Sequence, residues 1–170
     1  MNVTFVTVKL VEAYVAIMLN PNTYHYGLRQ TRGHVGAWLI IPGRPPIWGH
    51  SYRKGNLWTH AERDCIEKAL KLYGSIPDDC VMITTLEPCS LNADKDPHMS
   101  SRKGCSCSQL LGEHNIKTVY CGTRDVGHFV DGKEPKHPFK LLTVDNLIAT
   151  MVCDRLYKRV TGEKLLVSFY

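Results

Sequence analysis

His60-Ala61-Glu62-Arg63-Asp64-Cys65-Ile66-Glu67-Lys68-Ala69-Leu70-Lys71-Leu72-Tyr73-Gly74 is the stretch on which the reading of the fold turns. Ala61, Cys65, Ile66, Ala69, Leu70 and Tyr73 fall on one face at helical spacing, and Gly74 is the residue type that ends helices in a left-handed turn. A helix over 60–73 is predicted, with His60 and Glu62 both in its first turn. Directly downstream, Cys80 to Thr85 reads as a buried strand, and Leu86-Glu87-Pro88-Cys89-Ser90 continues from it. Cys89 is thereby expected at the strand's carboxyl end, where ligands collect in α/β sheets.

Working outward from this βα core, Leu10, Val11, Tyr14, Val15 and Met18 mark a first helix over Lys9–Leu19, stopped by Asn20-Pro21-Asn22. Val35–Ile41 and Ile47–Arg53 flank the turn Pro42-Gly43-Arg44-Pro45-Pro46 and read as a β-hairpin. On the other side, residues 91–104 are polar and irregular, Cys107–His114 is helical, and Lys117–Cys121 is a strand. A long amphipathic pattern runs from Val144 to Val160, and Lys164–Tyr170 reads as a closing strand. The order α-β-β-α-β-α-β-α-β predicts an α/β three-layer sandwich, a mixed five-stranded sheet with helices on both faces whose last two strands run parallel through a helical crossover.

A chain of 170 residues is the size of one compact domain, and residues 1–170 are expected to form one. With 44% hydrophobic and 22% charged residues and no repeat, extended disorder is excluded. Lys9 and Glu12 interrupt the apolar amino-terminal stretch, so neither a signal peptide nor a membrane span is expected. Seven cysteines, an odd number scattered over buried elements, argue against an extracellular disulfide framework and for a reducing cytoplasm with some thiolates on metal. The net charge of +5 suits a phosphorylated substrate or weak nucleic-acid contact without selecting either.

A catalytic zinc takes three protein ligands, commonly His and Cys, and keeps one position open. Zinc deaminases carry these ligands as His-x-Glu followed downstream by Pro-Cys and a further Cys. This chain has His60-Ala61-Glu62, Pro88-Cys89, and then Cys105 or Cys107. His60, Cys89 and Cys107 are the candidate Zn2+ ligands, each Cys expected at a helix amino terminus that favours its thiolate. Glu62 is the candidate catalytic residue, a proton carrier beside a metal-activated water. Register favours Cys107 over Cys105, with Cys105 kept as the alternative third ligand. Counted from Cys107, the next residue is small and Leu110 and Leu111 follow one turn on, whereas counting from Cys105 puts Gln109 where a Leu is wanted. A closed structural site with Cys105 as fourth ligand is the alternative, and it leaves Glu62 without a task. Cys65, Cys80, Cys121 and Cys153 read as small buried hydrophobes.

HVGAWLI (34–40), GNLWTHAE (55–62), ITTLEPCS (83–90) and IKTVYCGTRD (116–125) together resemble the cytidine-deaminase-like superfamily, and within it the riboflavin-pathway pyrimidine deaminases of the fungal type. The resemblance runs from about Val35 to Val130. It implies a deaminase acting on an aminopyrimidine that carries a ribose or ribityl phosphate, and it implies a homo-oligomer. Two departures stand out. Seventeen residues separate Cys89 from Cys107, against two in typical nucleotide and nucleic-acid deaminases, which points to a remodelled substrate lid. Arg32-Gly33-His34 also stands where many relatives have an Asn.

Candidate substrate contacts are Asn56 for sugar or ring, His34 and Trp58 for stacking on a heterocycle, and His98, Arg102 and Lys103, with Lys95, for phosphate. A deaminase for nucleotides or single-stranded nucleic acid is the second expectation, kept open by Arg155, Lys158 and Arg159. A zinc-binding module without activity is the third.

Overall fold

The structure is a computed structural model that describes residues 1–19, 34–54, 57–90, 105–125 and 135–161, the side chains of 53, 54, 57, 58 and 159–161 excepted. Its elements are α1 (Val3–Leu19), β1 (Gly36–Ile40), β2 (Ile47–His50), β3 (Tyr52–Lys54), β4 (Leu57–Thr59), α2 (Ala61–Tyr73), β5 (Val81–Leu86), α3 (Cys107–Glu113), β6 (Thr118–Thr123), β7 (Lys140–Thr143) and α4 (Leu147–Thr161). Among the described residues, five strands form one mixed sheet in the order β2-β1-β5-β6-β7. β1 runs antiparallel to β2 and β5, while β5–β6 and β6–β7 are parallel. Helices cover both faces, as the sequence predicts, with α1 and α4 on one and α2 and α3 on the other.

Strand alternation sorts the core into two layers. Ala37, Leu39, Met82 and Val119 turn toward Cys65, Ile66, Ala69, Leu110 and Leu111. Ile83 turns the other way, toward Val6, Leu10, Ala149 and Cys153, with Trp38, Ile40 and Tyr120 alongside. Each large apolar side chain so enclosed contributes about 1.5–3 kcal/mol of transfer free energy.

Three expectations change. The first helix begins at Val3, not Lys9. β-Branched Val3, Thr4, Val6, Thr7 and Val8 have low helix propensity, but the Asn2 side chain accepts the Thr4 N–H at 2.8 Å and Val6 is fully buried. The strand expected to run to Arg53 breaks at Ser51, whose N–H reaches Val35 O at 2.9 Å while its Oγ accepts from Val35 N at 3.0 Å. Beyond the break, β3 leaves the sheet to pair with β4 in a two-stranded ribbon leading to His60. The fifth strand of the sheet is Lys140–Thr143, ahead of the last helix; the closing strand expected at Lys164–Tyr170 lies outside the described residues.

Candidate metal centre

Capping sets α2 apart. Asn2 caps α1, Ser106 caps α3 by accepting from Gln109 N at 3.1 Å, and Asn146 caps α4 by accepting from Ile148 N and Ala149 N at 3.0 and 3.2 Å. At α2 the cap position is held by His60, in extended backbone and with no side-chain cap bond. An imidazole in place of a Ser or Asn forgoes about 1 kcal/mol of helix stability and leaves its ring nitrogens for another use. His60 therefore precedes the first turn that was expected to contain it.

The use is visible in the neighbours. His60 Nδ1 lies 3.3 Å from Cys107 Sγ and 3.6 Å from Cys89 Sγ. One ligand atom from each of the three residues falls within 4.8 Å of the others. Three elements supply them: the start of α2, the extended segment after β5, and the first residue of α3. Cys89 begins no helix among the described residues, contrary to expectation. Its sulfur instead accepts the backbone N–H of Cys107 at 3.3 Å, so the amino end of α3 serves the neighbouring cysteine. Cys105 lies apart, its Sγ 3.0 Å from the Arg63 guanidinium.

Hydrogen bonding with Cys107 outweighs burial and, with the His60 imidazolium, holds the Cys89 thiol well below its ordinary pKa. Burial opposes charge on His60, yet the Cys89 sulfur and the Glu62 carboxylate bring it up to about 9. Two buried sulfurs, one of them favoured as thiolate, facing the half-buried His60 ring form a donor set that suits zinc, whose binding would require these groups to lose their protons. Cys89 differs in this from thiols on which burial is the first influence: Cys80 and Cys121 are pushed up to about 11 and Cys153 up to about 12.

Glu62 is 3% exposed. Its Oε2 is 3.5 Å from Cys107 Sγ and its Oε1 is 3.4 Å from the Thr84 hydroxyl, whose proton is better placed on Leu86 O at 2.9 Å. Burial raises its pKa. The next two residues are also enclosed. Arg63 reaches Cys105, and Asp64 takes Lys68 Nζ at 2.7 Å and His50 N at 3.1 Å. Three consecutive charged side chains on the buried first turn of a helix are costly unless each has a partner, and each does.

The remaining candidates fall differently. Antiparallel pairing of Ala37 with Thr84 puts half-buried His34, two residues before β1, at the same sheet end as Glu87 and Cys89. Trp58 has its backbone in β4 and its side chain outside the described residues. Asn56, Lys95, His98, Arg102 and Lys103 lie outside them altogether. Arg155 and Lys158 are exposed on α4, and the α4 layer is across the sheet from the metal trio.

Sequence reasoning assigned no role to Glu87, Arg124 and His137. Glu87, its carboxylate fully inaccessible, accepts from Arg124 Nε at 2.7 Å, Arg124 Nη2 at 3.3 Å and Asp125 N at 3.0 Å, and pairs with His137 Nε2 at 2.8 Å. Burial works against the charge, but these donors bring its pKa down to about 2. An acidic residue directly before Pro-Cys was the one available signal; its burial was not readable.

A buried acid beside a His-Cys-Cys trio, at the carboxyl end of a parallel strand in a three-layer α/β sheet, is the arrangement of zinc-dependent deaminases. Residues 9–123 match the cytidine and deoxycytidylate deaminase zinc-binding region, and the chain belongs to that family. Among solved structures it is similar to the diaminohydroxyphosphoribosylaminopyrimidine deaminase/5-amino-6-(5-phosphoribosylamino)uracil reductase of Thermotoga maritima, at 27% identity and a TM-score of 0.58. That match covers 92% of this chain and 42% of the Thermotoga chain, so this protein spans less than half of that one's length. It is also similar in fold to the dCMP deaminase of cyanophage S-TIM5 in apo form, at 16% identity and a TM-score of 0.54, over 84% of this chain and 99% of the phage chain. A search of curated protein sequences found no match. No helix among the described residues is long and apolar enough to cross a membrane.

Proposed function

We propose that this protein is a hydrolytic deaminase that replaces the exocyclic amine of a phosphorylated aminopyrimidine with oxygen, with His60, Cys89 and Cys107 as metal ligands and Glu62 as the catalytic residue. The observation that carries the reading is a buried carboxyl with a raised pKa, 3.5 Å from a sulfur of the metal trio. A zinc that only fastened the fold would have no use for such an acid. His60, Cys89 and Cys107 would hold the zinc, which would supply Lewis acidity and activate water.

The chain's own part is proton traffic. Glu62 takes one proton from the attacking water and delivers it to the ring nitrogen next to the reacting carbon, then takes the second from the hydroxyl now on that carbon and gives it to the departing amine, so that water enters and ammonia leaves. Enclosure of Glu62 raises its pKa, which helps it accept the proton of the water that it then passes on. His34, Asn56 and Trp58 are the proposed ring and sugar contacts, and His98, Arg102 and Lys103 the proposed phosphate contacts.

The substrate class draws on the THAE and LEPCS stretches and on 27% identity to a protein named for an aminopyrimidine phosphate. The second reading, a nucleotide or nucleic-acid deaminase, draws on the phage dCMP deaminase matched over 99% of its length. Its nucleic-acid form has less support, because Arg155 and Lys158 belong to the layer across the sheet.

The test is ammonia release by zinc-loaded protein offered riboflavin-pathway aminopyrimidine phosphates, cytidine nucleosides and nucleotides, and single-stranded DNA and RNA. Release from the first class, abolished in Glu62→Gln, is expected. Release from cytosine compounds alone would transfer the assignment to the second reading, and silence with zinc bound would mean an amine outside the panel or a binding module. Self-association, implied by the family, is tested by sedimentation, where a monomer at all concentrations would remove it.

A further inference from the structure

In relatives with two residues between the cysteines, the backbone itself keeps the two sulfurs close. Here seventeen residues intervene, and closing a loop of that length leaves the separation of its ends undetermined. Something other than the connecting chain must hold Cys89 and Cys107 at ligand spacing.

The buried contacts around Glu87 form a closed ring through both cysteine segments. The Glu87 carboxylate is fixed by Arg124 and by Asp125 N–H, and its backbone N–H donates to Thr123 O at 2.9 Å. His137 Nε2–H donates to Glu87 Oε1 at 2.8 Å, which leaves Nδ1 facing the Ser108 hydroxyl at 2.7 Å. The His137 side chain is 4% exposed, and its ring stacks on Phe139 with centroids 5.0 Å apart. Ser108 N–H donates to Cys89 O at 3.1 Å, its Oγ is 3.4 Å from Pro88 O, and the N–H of Cys107 reaches Cys89 Sγ at 3.3 Å. From Glu87 through Pro88 and Cys89, across to Cys107 and Ser108, and back through His137, the ring encloses no solvent-exposed member.

We infer that Glu87, His137 and Ser108 are positioning residues that fix the distance between Cys89 and Cys107, so that this network sets the metal affinity that the long connection leaves unset. None of the three is a ligand in the trio. Each acts through a cysteine segment: Glu87 on Pro88-Cys89, Ser108 on Cys107, and His137 by joining them. The inference rests on the metal assignment within the proposed function, and on no assumption about the substrate.

The experiment titrates the metal-free chain with Co2+ under chelator competition and follows the thiolate-to-cobalt absorption, with no substrate present. Glu87→Gln, His137→Phe and Ser108→Ala are each expected to weaken cobalt binding by about 10–100-fold and to lower the intensity of that band, as loss of a ligand's supporting partner does. The double variant Glu87→Gln/Ser108→Ala is expected to be no weaker than the worse single variant, because breaking the ring once already releases it. Val6→Ala, in the core on the other face of the sheet, is the control: it lowers the melting temperature and leaves cobalt affinity as it was.

Affinities of the three single variants within about threefold of the parent, or losses that follow melting temperature as in Val6→Ala, would overturn the inference. Should Glu87→Gln fail to fold, His137→Phe and Ser108→Ala, which spare the Arg124–Glu87 pair, decide it in the same way. Absence of turnover on every amine offered, with cobalt affinities shifted as expected, would remove the deaminase reading and leave the positioning network standing. Reduced turnover with unchanged cobalt binding would do the reverse.

Discussion

On one face of the sheet, Ile83, Trp38 and Tyr120 meet Val6, Leu10 and Cys153; on the other, Met82 and Leu39 meet Cys65 and Ile66, and Thr84 lies beside Glu62. Both faces are closed by two helices and both bury cysteine. On the α1/α4 face burial is the first influence on Cys153, and its thiol is pushed up to about 12. At the α2/α3 end an N–H, a second thiol and an imidazolium surround Cys89, and its thiol goes the other way. Composition of the strands does not distinguish the faces. What distinguishes Cys89 from Cys153, and equally from Cys65 on the α2/α3 face, whose thiol burial also raises, is that hydrogen-bond donors and an opposite charge converge on its sulfur.

The contrast is broken most directly by removing ligands. His60→Ala or Cys107→Ser is expected to lose stoichiometric zinc and all measurable deamination, and to lower the melting temperature of the zinc-loaded protein, whereas Cys153→Ser keeps its zinc. Metal analysis of purified variants beside thermal melts checks this. Zinc retained by His60→Ala would contradict the assignment.

Next in size is Glu62→Gln. Zinc content and fold are expected to persist while turnover falls by about 10²–10⁴-fold, the range for loss of a general acid-base. Steady-state kinetics at matched zinc occupancy tests it, and turnover within tenfold of the parent would take Glu62 out of the mechanism.

Two glycines sharpen the comparison. A Cβ on Gly49 would collide with Ala61 O and come within 2.6 Å of Cys65 Sγ, pushing on the first turn of α2, which carries Glu62 and directly follows His60. A Cβ on Gly122 would collide with Cys153 Sγ, on the face without the metal trio. Both alanine variants are expected to lose about 1–3 kcal/mol through overpacking, but Gly49→Ala alone is expected to weaken zinc binding. Denaturant unfolding paired with a zinc competition assay separates the two effects; equal zinc affinity in both would show that the face is irrelevant to the site.

The smallest effect concerns His50, whose pKa burial lowers although Asp64 opposes the shift. The folded state keeps the ring neutral where the unfolded chain already binds a proton, so the unfolded state holds more protons just below pH 6.5. Stability is expected to rise with pH through that window, and to fall as pH drops toward the lowered folded value. His50→Gln should flatten this part of the curve, measured by denaturant unfolding between about pH 5 and 7. An unchanged slope would assign the dependence elsewhere.

The sequence by itself determined the parts whose signals are local. The face of α2 and its end at Gly74 follow from 3.6-residue periodicity and one left-handed residue, with Gly74 N–H bonded to Leu70 O at 2.8 Å. The grouping of His60, Cys89 and Cys107, with Glu62 beside it, was legible because ligand chemistry restricts residue type and order, and helix register favoured Cys107 over Cys105. Only the tertiary structure decided the rest. β7, the last strand of the sheet among the described residues, has four residues and no fully buried position, so it carries no alternation to read. The early start of α1 runs against the propensity of its β-branched residues and depends on the packing of Val6 and Leu10 beneath it. The ring through Glu87, Ser108 and His137 joins positions 21 to 50 residues apart. A buried ion pair leaves no periodic trace in a sequence, because its partners become neighbours only after the sheet has brought β5, α3 and the approach to β7 together.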